Sequence, residues 1–303
     1  MLDYGKRNDI EKIKEIWELS FPHDDFGYTD YFFNEEFDVN DNLVIRENDQ
    51  IISVGSRKSS VIMLYDRPIM ISMIFGVATL KEHQKNGHMK TIMEALIDHA
   101  ENQELLTFIQ AYDPKIYYQY GFTPIYYRVK YTLKKESNKM YSTSNCVTAI
   151  KNIDLLKAYV AFVKRFTGFK VRDDNYYDKY VKAVKSQNGI IVSYYNNGLI
   201  MGYATLIKKD SELYVEEIIY GSVKVMLSLL SYAFVLSDIV VLDVTVYEKI
   251  EQYFSFVKKE IYESTLVRIN DIDLFNKIFQ SNVLTIKQAF SIGDTPLYFN
   301  EDC

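Results

Sequence analysis

Ile74-Phe75-Gly76-Val77-Ala78-Thr79-Leu80-Lys81-Glu82-His83-Gln84-Lys85-Asn86-Gly87-His88-Met89 is the stretch on which the fold turns. Ser72 to Leu80 is apolar and rich in β-formers without a helical period, so it reads as a buried strand. From Met89 the apolar positions are Met89, Ile92, Met93, Leu96 and Ala100, one face of a helix. Between them Gln84-Lys85-Asn86-Gly87 offers free backbone N–H groups at a helix N-terminus. Such a terminus carries roughly half a positive charge and suits a pyrophosphate. Gly87 lets a ligand approach the backbone where a side chain would block it. No Gly-Lys-Ser/Thr follows, so the spacing is not the Walker pattern. A tight turn between strand and helix is the plain alternative.

Further motifs stand around this loop. Val77-Ala78-Thr79, Gln84-x-x-Gly87-x-Met89 and Tyr117-x-x-Tyr120-Gly121-Phe122 resemble the acetyl-CoA motifs of the GNAT N-acetyltransferases. The chain is more similar still to the Eis-like (enhanced intracellular survival) branch. That likeness includes Phe21-Pro22-His23-Asp24-Asp25, Tyr31-Phe32-Phe33, Asp41-Asn42-Leu43-Val44 and the order of elements in the second half. The branch often has Arg where Gln84 stands and commonly Pro where Lys81 stands; Gln is within the general GNAT pattern. The resemblance implies an α+β (α/β) chain of tandem GNAT folds, with mixed twisted sheets flanked by helices. It implies acetyl-CoA as acyl donor, held by Val77, Ala78, Thr79, Gln84, Lys85, Asn86, Gly87, His88 and Met89.

Composition agrees with a folded enzyme. A chain of 303 residues suggests about two domains on the usual ~100–200 residues each. Hydrophobic residues make up 48%, ample material for a core. No apolar run approaches the ~20 residues of a membrane span, and the charged N-terminus does not read as a secretory signal, so the expected location is cytoplasmic. Cys146 and Cys303 make no disulfide framework or metal pattern. His23, His83, His88 and His99 are scattered without zinc-ligand spacing, and no metal is expected. The net charge of −6 disfavours nucleic acid and mildly favours cationic partners.

In chain order, Asp9 is the expected cap of a first helix with apolar positions Ile10, Ile13, Ile16, Trp17 and Phe21. Trp17 reads as core. Phe21 to Phe37 mixes aromatics with acids. Solvated acids are the ordinary reading; the resemblance implies an acceptor-side wall, with Asp24, Asp25 and Phe26 against a small cationic amine. Leu43–Ile45 and Ile51–Ser56 read as a hairpin across Asn48-Asp49-Gln50. Ser60–Leu64 and Arg67–Met73 give further strand around Tyr65-Asp66. Asp113-Pro114 opens a helix that Gly121 ends.

Acyl transfer to an amine needs a held thioester, an oxyanion donor, an acid for the leaving thiolate and a base. In GNAT-like sheets the strand at Gly76–Thr79 splays from its neighbour, and Val77 is the candidate N–H donor to the oxyanion. The resemblance places the acid at Tyr117. A phenol with a reference pKa of about 10 is protonated at neutral pH, although packing is the ordinary fate of a tyrosine. Ile69–Leu80 contains no Asp, Glu or His to serve as base. Eis-like proteins use their terminal carboxylate there, which implies Cys303, through its α-carboxylate, as base. The alternative is a frayed acidic tail. A non-catalytic acyl-CoA sensor needs the loop but neither Tyr117 nor the tail.

The second half repeats the layout with Leu155–Phe169 and Tyr176–Val184 as helices and Gly189–Tyr195 and Leu199–Ile207 as a hairpin across Asn196-Asn197-Gly198. Glu212–Ile219 follows as strand and Val223–Leu236 as helix. Only Tyr220-Gly221-Ser222 joins these two, too little backbone to cradle a pyrophosphate. The expected division is 1–135, catalytic; 136–262, a degenerate copy without a CoA loop; and 263–303, a truncated sterol-carrier-like segment with the tail. The family's homo-oligomeric assembly is implied as well, though the ~35 residues from about Leu266–Ile272 onward are few for a third unit.

Overall fold

The computed structural model describes residues 1–22 and 27–301. β1 (Leu2–Tyr4) pairs with β2 (Asn42–Glu47), which turns back through Asn48 and Asp49 into β3 (Gln50–Leu64). Both turn residues take left-handed φ, 48° and 65°, the conformation a two-residue hairpin needs. Tyr65 and Asp66 repeat the device between β3 and β4 (Arg67–Thr79). β5 (Leu106–Ile109) lies parallel to β4, and α3 (His88–Glu101) makes the crossover between them.

Side chains alternate across this sheet. Leu43, Ile45, Ile52, Ile74 and Ile109 pack under Ile92, Met93 and Leu96 of α3. Val44, Ile51, Val54 and Ala78 point to the other face, under Ile13, Ile16 and Trp17 of α1 (Ile10–Ser20). α2 (Tyr28–Tyr31) and its continuation Phe32–Glu36 complete that aromatic layer. Asp9 does not cap α1. Its carboxylate instead accepts from the Lys6 N–H at 2.6 Å and from Nη1 and Nη2 of Arg46, at 3.1 and 2.5 Å. A charged partner within reach outcompeted the local cap.

The second half is built from β6 (Thr123–Lys134), β7 (Cys146–Val147), α4 (Asn152–Val163), β8 (Phe169–Lys170) and α5 (Asp174–Ser186). β9 (Ile190–Asn196), β10 (Leu199–Lys209), β11 (Glu212–Tyr220), α6 (Val223–Leu236) and β12 (Ile239–Thr245) follow. α4 and α6 bury Leu155, Tyr159, Phe162, Met226 and Leu229 with Tyr203, Leu206 and Ile218 of the strands. α4 stops at Val163, short of the expected Phe169, because Thr167 pairs with Leu297 and Gly168 turns at φ +72°.

β13 (Lys258–Ile269) joins the halves. It lies between β5 and β6, antiparallel to both, so one sheet runs β1-β2-β3-β4-β5-β13-β6-β12-β11-β10-β9-β7. The architecture is therefore mixed α/β with flanking helices, as expected, but the tandem sheets are continuous. The expected boundary at 262/263 falls inside β13, and Leu266–Ile269 is a strand of this sheet. After it, α7 (Ile272–Phe279) and α8 (Ile286–Ala289) place Phe275, Ala289 and Phe290 over Ile69, Ile71 and Phe108. Residues 270–301 thus cover the α1 face of the sheet. Among the described residues no helix is long and apolar enough to cross a membrane.

Candidate acyl-transfer site

The site begins at an irregularity in β4. Val54 pairs with Ala78 and Ser56 with Phe75, so Gly55 alone faces both Gly76 and Val77, a bulge on β4. Gly76 takes φ +60°, and a Cβ there would sit 2.0 Å from Trp17 Cζ3. Only glycine satisfies both the turn and the close approach. Beyond the bulge β4 leaves β5. Their parallel pairing ends at Ile74 and Ile109, while β4 continues to Thr79. A wedge opens between the two strands, lined on one side by the backbone of Phe75–Thr79.

The loop follows directly. Gln84 donates its side-chain amide to the Thr79 carbonyl at 3.1 Å and its N–H to Lys81 at 3.3 Å, which fixes the loop to the strand end. Lys85 (φ +66°) and Gly87 (φ +85°) are left-handed on either side of Asn86. Such alternation turns successive amides to one side, an anion-binding arrangement. Among the described residues, the N–H groups of Lys85 to Lys90 donate to no protein acceptor, and Gly87 at the head of α3 supplies no side-chain cap. A Cβ on Gly87 would have nothing within 4 Å, so the space before the amides is open. These residues fit a diphosphate. Of the other expected contacts, Ala78 is buried with its carbonyl accepting from Ser53 Oγ at 3.0 Å. The Thr79 hydroxyl shares a hydrogen bond with the same Ser53 at 2.8 Å.

Tyr117 lies on the 3₁₀ helix Pro114–Tyr120, which Asp113 caps by accepting from the Lys115 N–H at 3.2 Å and Gly121 ends at φ +82°. Its ring is buried against Phe122, in the cluster that also takes in Val77 and Met89. The structure thus brings bulge, helix start and phenol around one core. No hydrogen bond to the Tyr117 hydroxyl exists among the described residues, and burial pushes its ionisation up to about 12. Tyr118 points elsewhere, donating to Glu263 at 2.8 Å.

Cys303 lies outside the described residues, but the chain is held as far as Glu301. Pro296 accepts from the Thr167 N–H at 2.9 Å, and Tyr298 donates to Thr167 at 3.0 Å. Leu297, Tyr298 and Phe299 are buried. Glu301 is buried too, its carboxylate 2.9 Å from Arg172 and 3.1 Å from Lys170. Its carbonyl accepts from Gln110 Nε2 at 2.7 Å. Gln110 is the residue after β5, at the mouth of the wedge. The expected alternative of a frayed tail does not hold for these residues. Sequence reasoning missed Gln110; its one signal is an amide closing an otherwise apolar strand.

Asp24, Asp25 and Phe26 also lie outside the described residues. The segment that flanks them is aromatic: Trp17 contacts Phe21, Phe32, Phe33 and Phe75, and Phe21 stacks on Tyr112 at 6.4 Å. Of its other acids, Asp30 pairs with Lys14 and Glu35 with Lys182. In the second half, the Gly221 N–H donates to Met201 at 2.8 Å and the Ser222 hydroxyl accepts from Val225 at 3.4 Å. That helix start is capped by its own chain, with no loop before it.

Residues 2–125 match the acetyltransferase (GNAT) domain family. No curated protein matches the sequence. Among solved structures, a conserved protein of unknown function from Enterococcus faecalis V583, described as a probable N-acyltransferase, superposes with a TM-score of 0.74. It is 14% identical, over 89% of this chain and 72% of that one. Eis1 from Mycobacterium abscessus gives 0.67 at 12% identity, over 91% and 75%. A GCN5-related N-acetyltransferase from Anabaena variabilis gives 0.71 at 12%, over 90% and 73%. At these identities the likeness is one of fold.

Proposed function

We propose that this chain, whose residues 2–125 match the GNAT acetyltransferase domain family, takes acetyl-CoA as acyl donor and acetylates the primary amine of a small cationic acceptor by direct attack on the thioester. The observation that carries this reading is the row of open amides from Lys85 to Lys90 beside the wedge after Ile74. Bound there, acetyl-CoA supplies the activated acetyl group. The amides around Gly87 hold its diphosphate, with the α3 dipole behind them. The backbone of Val77 to Thr79 orients the pantetheine arm, and the Val77 N–H faces the carbonyl oxygen on which negative charge develops. A fixed donor of this kind needs no reorganisation during reaction, and its removal typically costs a few kcal/mol.

Two proton movements remain. An amine with a lysine-like pKa near 10.4 arrives charged and must lose a proton. The α-carboxylate of Cys303 is the proposed acceptor, and the anchoring of Glu301 at Gln110 supports it. Tyr117 is the proposed donor to the departing thiolate; its free hydroxyl and raised pKa keep the proton available. Asp24, Asp25 and Phe26 are proposed to face the acceptor.

Thiol release from acetyl-CoA, measured with polyamines, aminoglycosides and lysine peptides, tests the reaction and names the amine. Gly87→Glu sets a carboxylate in the open space before the amides. It should weaken acetyl-CoA binding by tenfold or more, about 1.4 kcal/mol; unchanged affinity by calorimetry refutes the proposed cradle.

A further inference from the structure

Glu47, His83 and His88 converge at the edge of the loop, and nothing in the acyl-transfer reading uses their side chains. Glu47 ends β2, His83 ends the short 3₁₀ turn Lys81–His83 before the loop, and His88 opens α3 after it. His83 Nδ1 lies 3.4 Å from one Glu47 carboxylate oxygen and His88 Nε2 lies 3.4 Å from the other. The three donor atoms are all within 4.8 Å of one another. Neither imidazole makes a charge-assisted hydrogen bond at that distance, since such bonds measure about 2.7–2.9 Å. His88 Nε2 is buried and has no hydrogen-bond partner among the described residues. A buried nitrogen left this way calls for an explanation, an ion among them.

The spacing supplies one. Two ligands each about 2.0–2.2 Å from a tetrahedral ion stand roughly 3.4 Å apart, the separation of both histidine–glutamate pairs. We propose that Glu47, His83 and His88 bind one divalent transition-metal ion of the zinc type, with the remaining coordination open to water. Two imidazoles and a carboxylate suit zinc, cobalt or nickel; calcium and magnesium prefer all-oxygen sites. No linear spacing reveals the set, because the carboxylate comes from a neighbouring hairpin.

His83 and His88 bracket Gln84–Gly87, so the ion ties both shoulders of the loop to β2. Holding the loop in one conformation lowers the ordering cost of a ligand bound to its amides. Acetyl-CoA therefore binds more tightly to the metal-loaded chain; this second consequence rests on the cradle proposed above, whereas metal binding itself does not.

The test is calorimetric titration of Zn²⁺ into the chelator-treated full chain, without acetyl-CoA. One ion per chain is expected, with affinity falling about tenfold or more in Glu47→Gln and separately in His83→Ala. Both variants should keep the melting temperature of the metal-free parent, and Co²⁺ should give visible absorption bands only in the parent. Zinc bound equally by parent and variants overturns the site. Repeating the acetyl-CoA titration with and without Zn²⁺ tests the tie to the loop; equal affinities overturn that tie and leave the site standing.

Discussion

The side-chain amide of Gln110 donates to the carbonyl oxygen of Glu301 at 2.7 Å, across 191 positions of sequence. The same amide donates to Thr265 Oγ1 of β13 at 3.1 Å, so one residue at the end of β5 holds both the inserted strand and the final stretch. This contact brings the last described residue to the wedge between β4 and β5. It supports the proposal of a terminal-carboxylate base, since Ile69–Leu80 of the central strand carries no Asp, Glu or His.

Gln110→Ala should therefore lower kcat while leaving acetyl-CoA affinity intact. Loss of a base typically costs 10²–10⁴-fold, and loosening its anchor should cost roughly tenfold. Deleting Cys303, which moves the carboxylate back by one residue, should cost more. Steady-state kinetics with calorimetry in parallel separates the two quantities. Full activity after the deletion would place the base elsewhere.

Gly76→Ala probes the bulge. The new methyl would stand 2.0 Å from Trp17 Cζ3 on a backbone at φ +60°. A left-handed alanine costs about 1–2 kcal/mol, and overpacking a core typically a further 1–3. Thermal denaturation should show the loss, and adding Trp17→Leu should recover the overpacking part only. A variant as stable as the parent would mean that α1 can slide off β4 freely.

Arg172 is a buried cation of the second half. Its side chain is fully buried, meets Glu217 at 2.8 and 3.1 Å and Glu301 at 2.9 Å, and stacks 4.0 Å above the Tyr159 ring. Arg172→Met leaves the buried Glu217 without its counter-charge, while Glu301 keeps Lys170 at 3.1 Å; breaking such a buried pair costs about 3–5 kcal/mol. Burial alone would raise the Glu217 pKa, yet the charge and hydrogen bonds of Arg172 hold it below the ordinary carboxylate range. A lowered folded pKa stabilises above the unfolded value and is lost as pH falls through the folded one. The parent should thus weaken on acidification below about pH 4.5, whereas the deficit of the variant should narrow as Glu217 takes up a proton. Denaturant midpoints at pH 7, pH 5 and below pH 4.5 would decide; a deficit independent of pH would point to packing instead.

Local signals were legible where local chemistry decides. Asn197 and Gly198, at φ +49° and +77°, turn the hairpin their dipeptide foretells, and α6 spans Val223–Leu236 as its pattern reads. The strand, loop and helix around residues 72–100 were legible for the same reason, since Gly87 and a change of period lie within one short stretch, whereas the bulge at Gly76–Val77 appeared only with the strand pairing. What depends on distant partners was hidden. β13 carries an ordinary strand pattern, and nothing in it says that its neighbours are β5 and β6. Asp9 left its expected cap for Arg46, and α4 ended early at the Thr167–Leu297 bridge. Gln110, likewise, acquires meaning only when Glu301 arrives beside it.

Tyr117 gives the sharpest pH test. Its hydroxyl is free of protein partners among the described residues, and burial raises its ionisation to about 12. The neutral phenol is therefore favoured in the folded chain, present through neutral and mildly alkaline pH and lost only as pH passes about 12. If this group supplies the proton to the thiolate, no alkaline fall in kcat near the ordinary tyrosine value of ~10 should trace to it. Tyr117→Phe should lower kcat by about 10²–10⁴-fold and leave the acetyl-CoA Kd unchanged. Rates measured from pH 7 to 10.5 in parent and variant, with calorimetric affinities alongside, check both statements. A variant that turns over at the parental rate would move the acid to another group, and a parental alkaline limb near 10 that vanishes with the substitution would contradict the buried phenol.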